Sequence, residues 1–525
     1  MPMKRRRFIA ASTAAAAAIP FLSNRRVQAT SPDQLIPDPA EVPILDLPEG
    51  FTYSIVEASL DPADPLNPSG RGVMSDGYLM PGAPDGMACY EGPDGTWILM
   101  RNHELISAAL LDDGLPLPPG SPVGAGALAS PFSGGQGAPP ESFDPGNDDA
   151  IGGVSRVVVR PLAGGGVERV SSNLVLCGSW QNCAGGPTPW GSWLSCEETT
   201  DDPAHGFVFE CPITADSVVD ARSMQRTNLG RFSHEAAAVD PSTNIIYLTE
   251  DRGNSVLYRH VPDDPDAPLG AGRLQAMRIV GDAGVRTADW GPDEIGVWRE
   301  IDWIDLDGID SPDDDLRERA AAAGAAVISR GEGIAFDGSP PSEDVTDEGA
   351  GGLYVVSTNG GPDGKGQIFR VGLDEAGEAT GFQLVAVGTG EDVLDRPDNV
   401  VVAPWGDVYL CEDGPDDQFI RVLKPNGEIH TLARNAMQPF NPLLAPILGQ
   451  SEFAGACFSP DGSTLFANIQ FNGVTVAIQG PFQEIGANGS GGGGGCSIGG
   501  TPAAAATGIS AFFGRRARQR THRRR

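Results

Sequence analysis

Short apolar runs separated by turn residues dominate this chain, and the runs come in pairs. A unit opens with a polar group and continues through small and apolar residues. It turns at a polar, mostly glycine-containing stretch, then rises through a second apolar run that ends in acid or amide. Six copies can be read: PDGMACYEGPDGTWILMRNHE (84–104), QNCAGGPTPWGSWLSCEE (181–198), SHEAAAVDPSTNIIYLTED (233–251), RGEGIAF with GGLYVVSTN after an insertion (330–359), PDNVVVAPWGDVYLCED (397–413) and EFAGACFSPDGSTLFANIQ (452–470). Repeated two-strand units predict an all-β protein, a six-bladed β-propeller with inserted loops such as the Gly/Pro-rich 113–150. A β-sandwich with long loops is the structural alternative. Helical signals are sparse; the alanine run in DDDLRERAAAAGAAVISR predicts a helix over 313–330.

The ends of the units carry the candidate chemistry. In an antiparallel hairpin the first residue of one strand lies beside the last residue of its partner. Asn182-Cys183 is therefore expected beside Glu197-Glu198, His234-Glu235 beside Glu250-Asp251, and Asp398-Asn399 beside Glu412-Asp413. If the first strands line a central channel, these ends gather at one mouth together with Glu332 and Glu452. Two like charges about 4 Å apart at an effective dielectric near 20 repel by about 4 kcal/mol. Such carboxylates either take up protons or hold cations. An oxygen-rich ring suits calcium, and the thiolate of Cys183 adds a softer ligand suited to iron or zinc. The alternative is a solvated acidic rim.

Charge sharpens this picture. The 525 residues carry 36 basic and 70 acidic side chains, a net charge of −34. Thirteen of the basic residues lie in 1–29 and 515–525, which hold no acid, so the body between them stands at −47. Such a surface excludes nucleic acid as a partner, whose phosphates it would repel. Residues 1–29 read as an export signal. Arg5-Arg6-Arg7-Phe8-Ile9 fits the twin-arginine pattern, with Lys4 where Ser or Thr is usual and ordinary secretion as the alternative. Residues 30–485 form the propeller domain on this reading. The remainder, 486–525, joins a glycine run, Cys496, a weakly apolar stretch and an arginine cluster, and resembles a bacterial C-terminal sorting tail. It offers possible membrane or cell-surface attachment; a disordered basic tail is the alternative. The eight cysteines show no zinc-type spacing. The expected location is outside the cytoplasm: periplasm, cell surface or medium.

Six segments together resemble the signature segments of the PhoX-type alkaline phosphatases: NCAGGPTPWGSWLSCEE, GRFSHEAAAVDP, YLTEDRGNSVLYR, RGEGIAF, PDNVVVAPWGDVYLCEDG and EFAGACFSPDGSTLFANIQ. The resemblance runs from about residue 50 to 480. It implies a six-bladed propeller with an oxide-bridged iron pair and several calcium ions as cofactors, hydrolysing phosphate monoesters. Carried over by motif, Cys183 would be a thiolate ligand to iron. Glu197 or Glu198, Glu235, Glu250, Glu332, Glu412 and Asp413 would supply the carboxylate shell, and Arg330 would reach a phosphate oxygen. A metal-bridging oxide or hydroxide would attack phosphorus.

On the residues themselves, His103 reads as structural and His234 stays open between structure and ligation. Trp190, Trp193 and Trp405 read as blade packing, and Cys196 and Cys411 as buried small hydrophobes. The expected partner is a small phosphate ester, and a monomer is expected. Two other functions fit the same features: a non-catalytic calcium-binding surface propeller, and a calcium-dependent lactonase or esterase.

Overall fold

Each of the six units folds as a hairpin whose first strand is built largely from small residues. These first strands are Pro84–Glu91, Asn182–Pro187, His234–Val239, Gly331–Phe336, Pro397–Val402 and Phe453–Phe458. Each packs against the next, and the last returns to the first, so the six close a ring. The computed structural model describes residues 35–486 apart from 60–71, 106–129, 131, 133–136, 340–343, 347–350, 391–392 and 438–449. The export segment 1–29, the tail beyond Gly486 and most of the insertion at 113–150 lie outside the described residues.

Five antiparallel sheets radiate from this ring in a propeller-like, all-β arrangement. Three contain four strands, two of them beginning at Pro84–Glu91 and Asn182–Pro187. Another runs from Pro397–Val402 through Val408–Glu412, Phe419–Leu423 and Ile429–Asn435, and gains Leu45–Asp46 at its outer edge. The sheet that starts at Phe453–Phe458 is completed by Thr52–Ala58, paired along Val474–Gln479. Chain-distant strands therefore share one sheet and close the ring. The fifth sheet has nine strands and contains two of the inner hairpins, at its opposite edges, with Trp298–Asp305 joining the halves.

The core lies between successive sheets. Met100 and Val154 of the first sheet meet Trp193 and Phe209 of the second. Leu194 and Val208 of the second meet Ile246 and Leu248 of the nine-stranded sheet. Cys196 and Cys411 are fully buried in such layers, as small apolar residues are expected to be. At the axis the strands approach too closely for ordinary side chains. A Cβ on Gly186 would lie 1.7 Å from the Ala237 carbonyl oxygen of the next inner strand.

The helix expected over 313–330 is shorter, Leu316–Ala322. Gly324 adopts φ +100 and ends it: its N–H donates to the Ala321 carbonyl, and the Ala325 N–H donates to that of Ala320. The chain then runs extended, with Ile328 bridging Ser255.

Candidate metal centre

All six inner hairpins break register near the start of the first strand. Pairing jumps between Pro84 and Met87, Asn182 and Gly185, His234 and Ala237, Gly331 and Ile334, Pro397 and Val400, and Ala454 and Cys457. A bulge bends the strand and re-aims the extra side chains. In five hairpins the residue following the last paired one is Asp85, Cys183, Glu235, Glu332 or Asp398. In the sixth, pairing continues one residue further, to Ala454 with Asn468, so Gly455 follows the last paired residue and the acid is Glu452, just before the strand.

The second strands contribute from their far ends, where adjacent residues face opposite ways. The terminal residues Glu197, Glu250 and Glu412 turn into their own sheets. Glu197 accepts from the backbone N–H groups of Trp180, Gly206 and Phe207, at 3.0, 3.0 and 3.2 Å, and bonds His205 Nδ1 at 2.7 Å. Glu250 accepts from the Tyr258 hydroxyl and pairs with Arg317. Glu412 accepts from the Asp395 N–H and from Arg421 Nε. The next residue differs: Glu104, Glu198 and Asp413 offer ligand atoms at the mouth, Gln470 bonds Asp85 and Glu104, Asp251 holds Arg330, and Thr358 donates to the Pro397 carbonyl.

Among the described residues four groups of potential ligand atoms result, each with its atoms within 4.8 Å of one another: Asp85, Glu104 and Cys183; Cys183, Glu198 and Glu235; Glu235, Glu332 and Asp398; Asp398, Asp413 and Glu452. Neighbouring groups share a residue, so the four form one continuous chain across the mouth. Of the residues singled out from sequence, Cys183, Glu198, Glu235, Glu332 and Asp413 are brought together. Glu197, Glu250 and Glu412 lie outside the groups. Asp85 and Glu104 were not counted in the shell, and Asp398 and Glu452 were placed at the mouth without being counted in it.

Burial dominates the electrostatics. It holds Asp85 at about 6 and pushes Glu104, Glu198, Glu235, Glu332, Asp398 and Glu452 well above the usual carboxylate range. It also raises Asp413 and the Cys183 thiol. Cys183 Sγ donates to Glu235 Oε1 at 3.3 Å. Gln470 Nε2 bridges Asp85 Oδ2 and Glu104 Oε2, both at 2.7 Å. Asp85 Oδ1 and Glu235 Oε2 are buried with no hydrogen-bond partner. Orphaned buried acceptors, carboxylate density and one thiol fit hard cations beside a softer one.

The supporting contacts are specific. Asn102 Nδ2 donates to the carbonyl oxygens of Cys183 and Ala184, and Trp193 Nε1 fixes Asn102 by donating to its Oδ1 at 2.8 Å. Trp193 thus packs within its sheet and also braces the cysteine. His103 is saturated by the Gly82 carbonyl and Ser155 hydroxyl. His234 stacks on Phe232 and contacts the Gly230 carbonyl, outside the four groups. Arg330 sits at the edge, gripped by Asp251 through two bonds of 2.8 and 2.9 Å and paired with Glu332 at 2.8 Å.

A comparison with curated proteins returns no match. Similar solved structures include PhoX of Pseudomonas fluorescens in complex with vanadate, a transition-state analogue. It has 20% identity, a TM-score of 0.59, and coverage of 87% of this chain and 98% of that one; at this identity the likeness bears on fold alone. A gluconolactonase of Xanthomonas campestris aligns over 85% of this chain and 97% of its own, with 11% identity and a TM-score of 0.37. The family model for alkaline phosphatase PhoX matches residues 31–473. The chain therefore belongs to the alkaline phosphatase PhoX family and is a phosphatase by that membership.

Proposed function

We propose that this protein is an exported, metal-dependent hydrolase of phosphate monoesters whose reaction takes place at the mouth of the six-strand ring. The observation that carries the reading is the chain of four ligand groups linked through Cys183, Glu235 and Asp398. A ring so acidic repels a phosphoryl dianion unless multivalent ions reverse the local sign. Calcium suits the oxygen-only groups, and iron suits the two that contain Cys183. Bound there, the ions supply Lewis acidity and activate water at neutral pH.

The chain's own residues do the rest. Asp251 and Glu332 hold the Arg330 guanidinium at the edge of the ligand chain, which suits it to take a phosphate oxygen. Gln470 fixes the orientation of Asp85 and Glu104. Asn102, itself held by Trp193, fixes the Cys183 and Ala184 carbonyls of the bulge. On this reading the nine-stranded sheet is two blades fused through Trp298–Asp305, making six blades in all. The basic amino terminus fits export, which places the enzyme where external phosphate esters are met.

Phosphate release from an aryl phosphate by iron- and calcium-loaded protein tests the proposal. Turnover that disappears on chelation and returns with metal supports it. A fully loaded protein that releases no phosphate rejects it.

A further inference from the structure

Arg330 has a counterpart that the ligand chain does not use. The residue before each inner strand is Ala83, Gln181, Ser233, Arg330, Arg396 or Glu452. Four of these are left-handed without being glycine: Ala83 at φ +40, Gln181 at +48, Arg330 at +52 and Arg396 at +51. That conformation is uncommon and is held where surrounding structure fixes it. All four make the same backbone contact, which Glu452 also makes, to the Gln470 N–H at 3.2 Å, without that conformation. Each carbonyl accepts the N–H of the residue just beyond the second strand: Glu104, Glu198, Thr358 and Asp413 in turn. The same slot therefore sets, with its backbone, the residue that follows the second strand.

The two arginines in this slot differ in what holds them. Arg330 spends Nε and one terminal nitrogen on Asp251 and Glu332. Arg396 is partly buried, its Nε is buried without a hydrogen-bond partner, and it makes no ion pair among the described residues. Its carbonyl fixes Asp413 at 2.9 Å, and its charge acts on the Asp413 carboxylate, a member of the fourth ligand group. Both arginines thus stand among carboxylates, Arg330 beside Asp251 and Glu332 and Arg396 beside Asp413. A guanidinium left unpaired beside so many carboxylates is a group kept for an incoming anion.

We infer that Arg396 is a second anion-binding arginine, which clamps the phosphoryl group together with Arg330 and favours esters that present free phosphate oxygens. This rests on the phosphatase reading and adds a specificity-determining residue to it. A planar donor fork matches two oxygens of one phosphate. A monoester offers three terminal oxygens to the two arginines and the ions, whereas a diester offers two.

The test is calorimetric titration of metal-loaded protein with inorganic phosphate, beside steady-state kinetics on an aryl phosphate monoester and the matching diester. Arg396→Ala should weaken phosphate binding by about tenfold or more. It should raise KM for the monoester more than it lowers kcat, and narrow the monoester-to-diester preference. Arg396→Lys should recover part of the affinity. Metal content and melting temperature should match wild type, as they should for the surface control Arg160→Ala. If Arg396→Ala loses metal, Arg396→Gln is read in the same way. Wild type that binds phosphate while metal-replete Arg396 variants bind it equally well overturns the assignment of Arg396 alone. Wild type that neither binds phosphate nor releases it overturns both readings.

Discussion

Glu197 and Glu198 are adjacent in sequence and opposite in structure. Glu197 is fully buried against three backbone N–H groups and His205, while Glu198 lies within 4.8 Å of ligand atoms on Cys183 and Glu235. The two carboxylates therefore do different work. Glu197→Ala strands several buried donors and should cost about 3–5 kcal/mol of stability. Thermal melting of chelated protein checks this. Glu198→Ala should leave that melting temperature unchanged or raise it, and should lower the metal content.

The hairpin repeat was legible in the sequence because apolar runs and turn residues declare strands locally. The ring of acids followed from hairpin geometry. What could not be read was the parity of each position. A bulge inserts a residue into the inner strand without a fixed sequence mark, and so decides which side chain faces the axis. Hence Glu250 and Glu412 were expected in the shell, yet they meet Tyr258, Arg317 and Arg421 inside their sheets. Asp85 opens the first unit and was not counted as a ligand, although it aligns with Glu235 and Asp398 once the bulges are superposed. Glu104 follows His103 as Asp413 follows Glu412, and that shared place was the available signal.

Close approach of the inner strands gives a stability prediction. With a Cβ placed 1.7 Å from the Ala237 oxygen, Gly186→Ala cannot be absorbed by a flexible side chain. It should destabilise by about 1–3 kcal/mol or more through forced separation of two strands. Denaturant unfolding measures the loss, which should appear with and without metal.

Cys183 contributes the one thiol of the ligand chain. Cys183→Ala should abolish visible absorption from thiolate–iron charge transfer and lower iron more than calcium. Absorption spectra and metal content of the purified variant check this. Retained iron and colour would assign the softer site elsewhere.

Removing the ions should make stability depend on pH in a stated direction. In the metal-free protein, burial raises the folded-state affinity of these carboxyls for protons, with Asp85 moving from 3.8 to about 6. Folded protein then binds more protons than unfolded protein, so stability falls as pH rises through that window, and further where the other raised carboxyls ionise. Melting of chelated protein from about pH 4 to about pH 8 should show the decline. Metal rebinding displaces the protons, so affinity should rise with pH and unbuffered titration with metal should acidify the solution.

Elemental analysis of protein purified without chelator, wild type beside Glu235→Gln, tests the central claim most directly, because Glu235 belongs to two of the four groups. The expected result is iron and calcium together in wild type and a clear loss of both in a folded Glu235→Gln protein. Wild type carrying neither ion, or a variant retaining the full complement, would contradict the account.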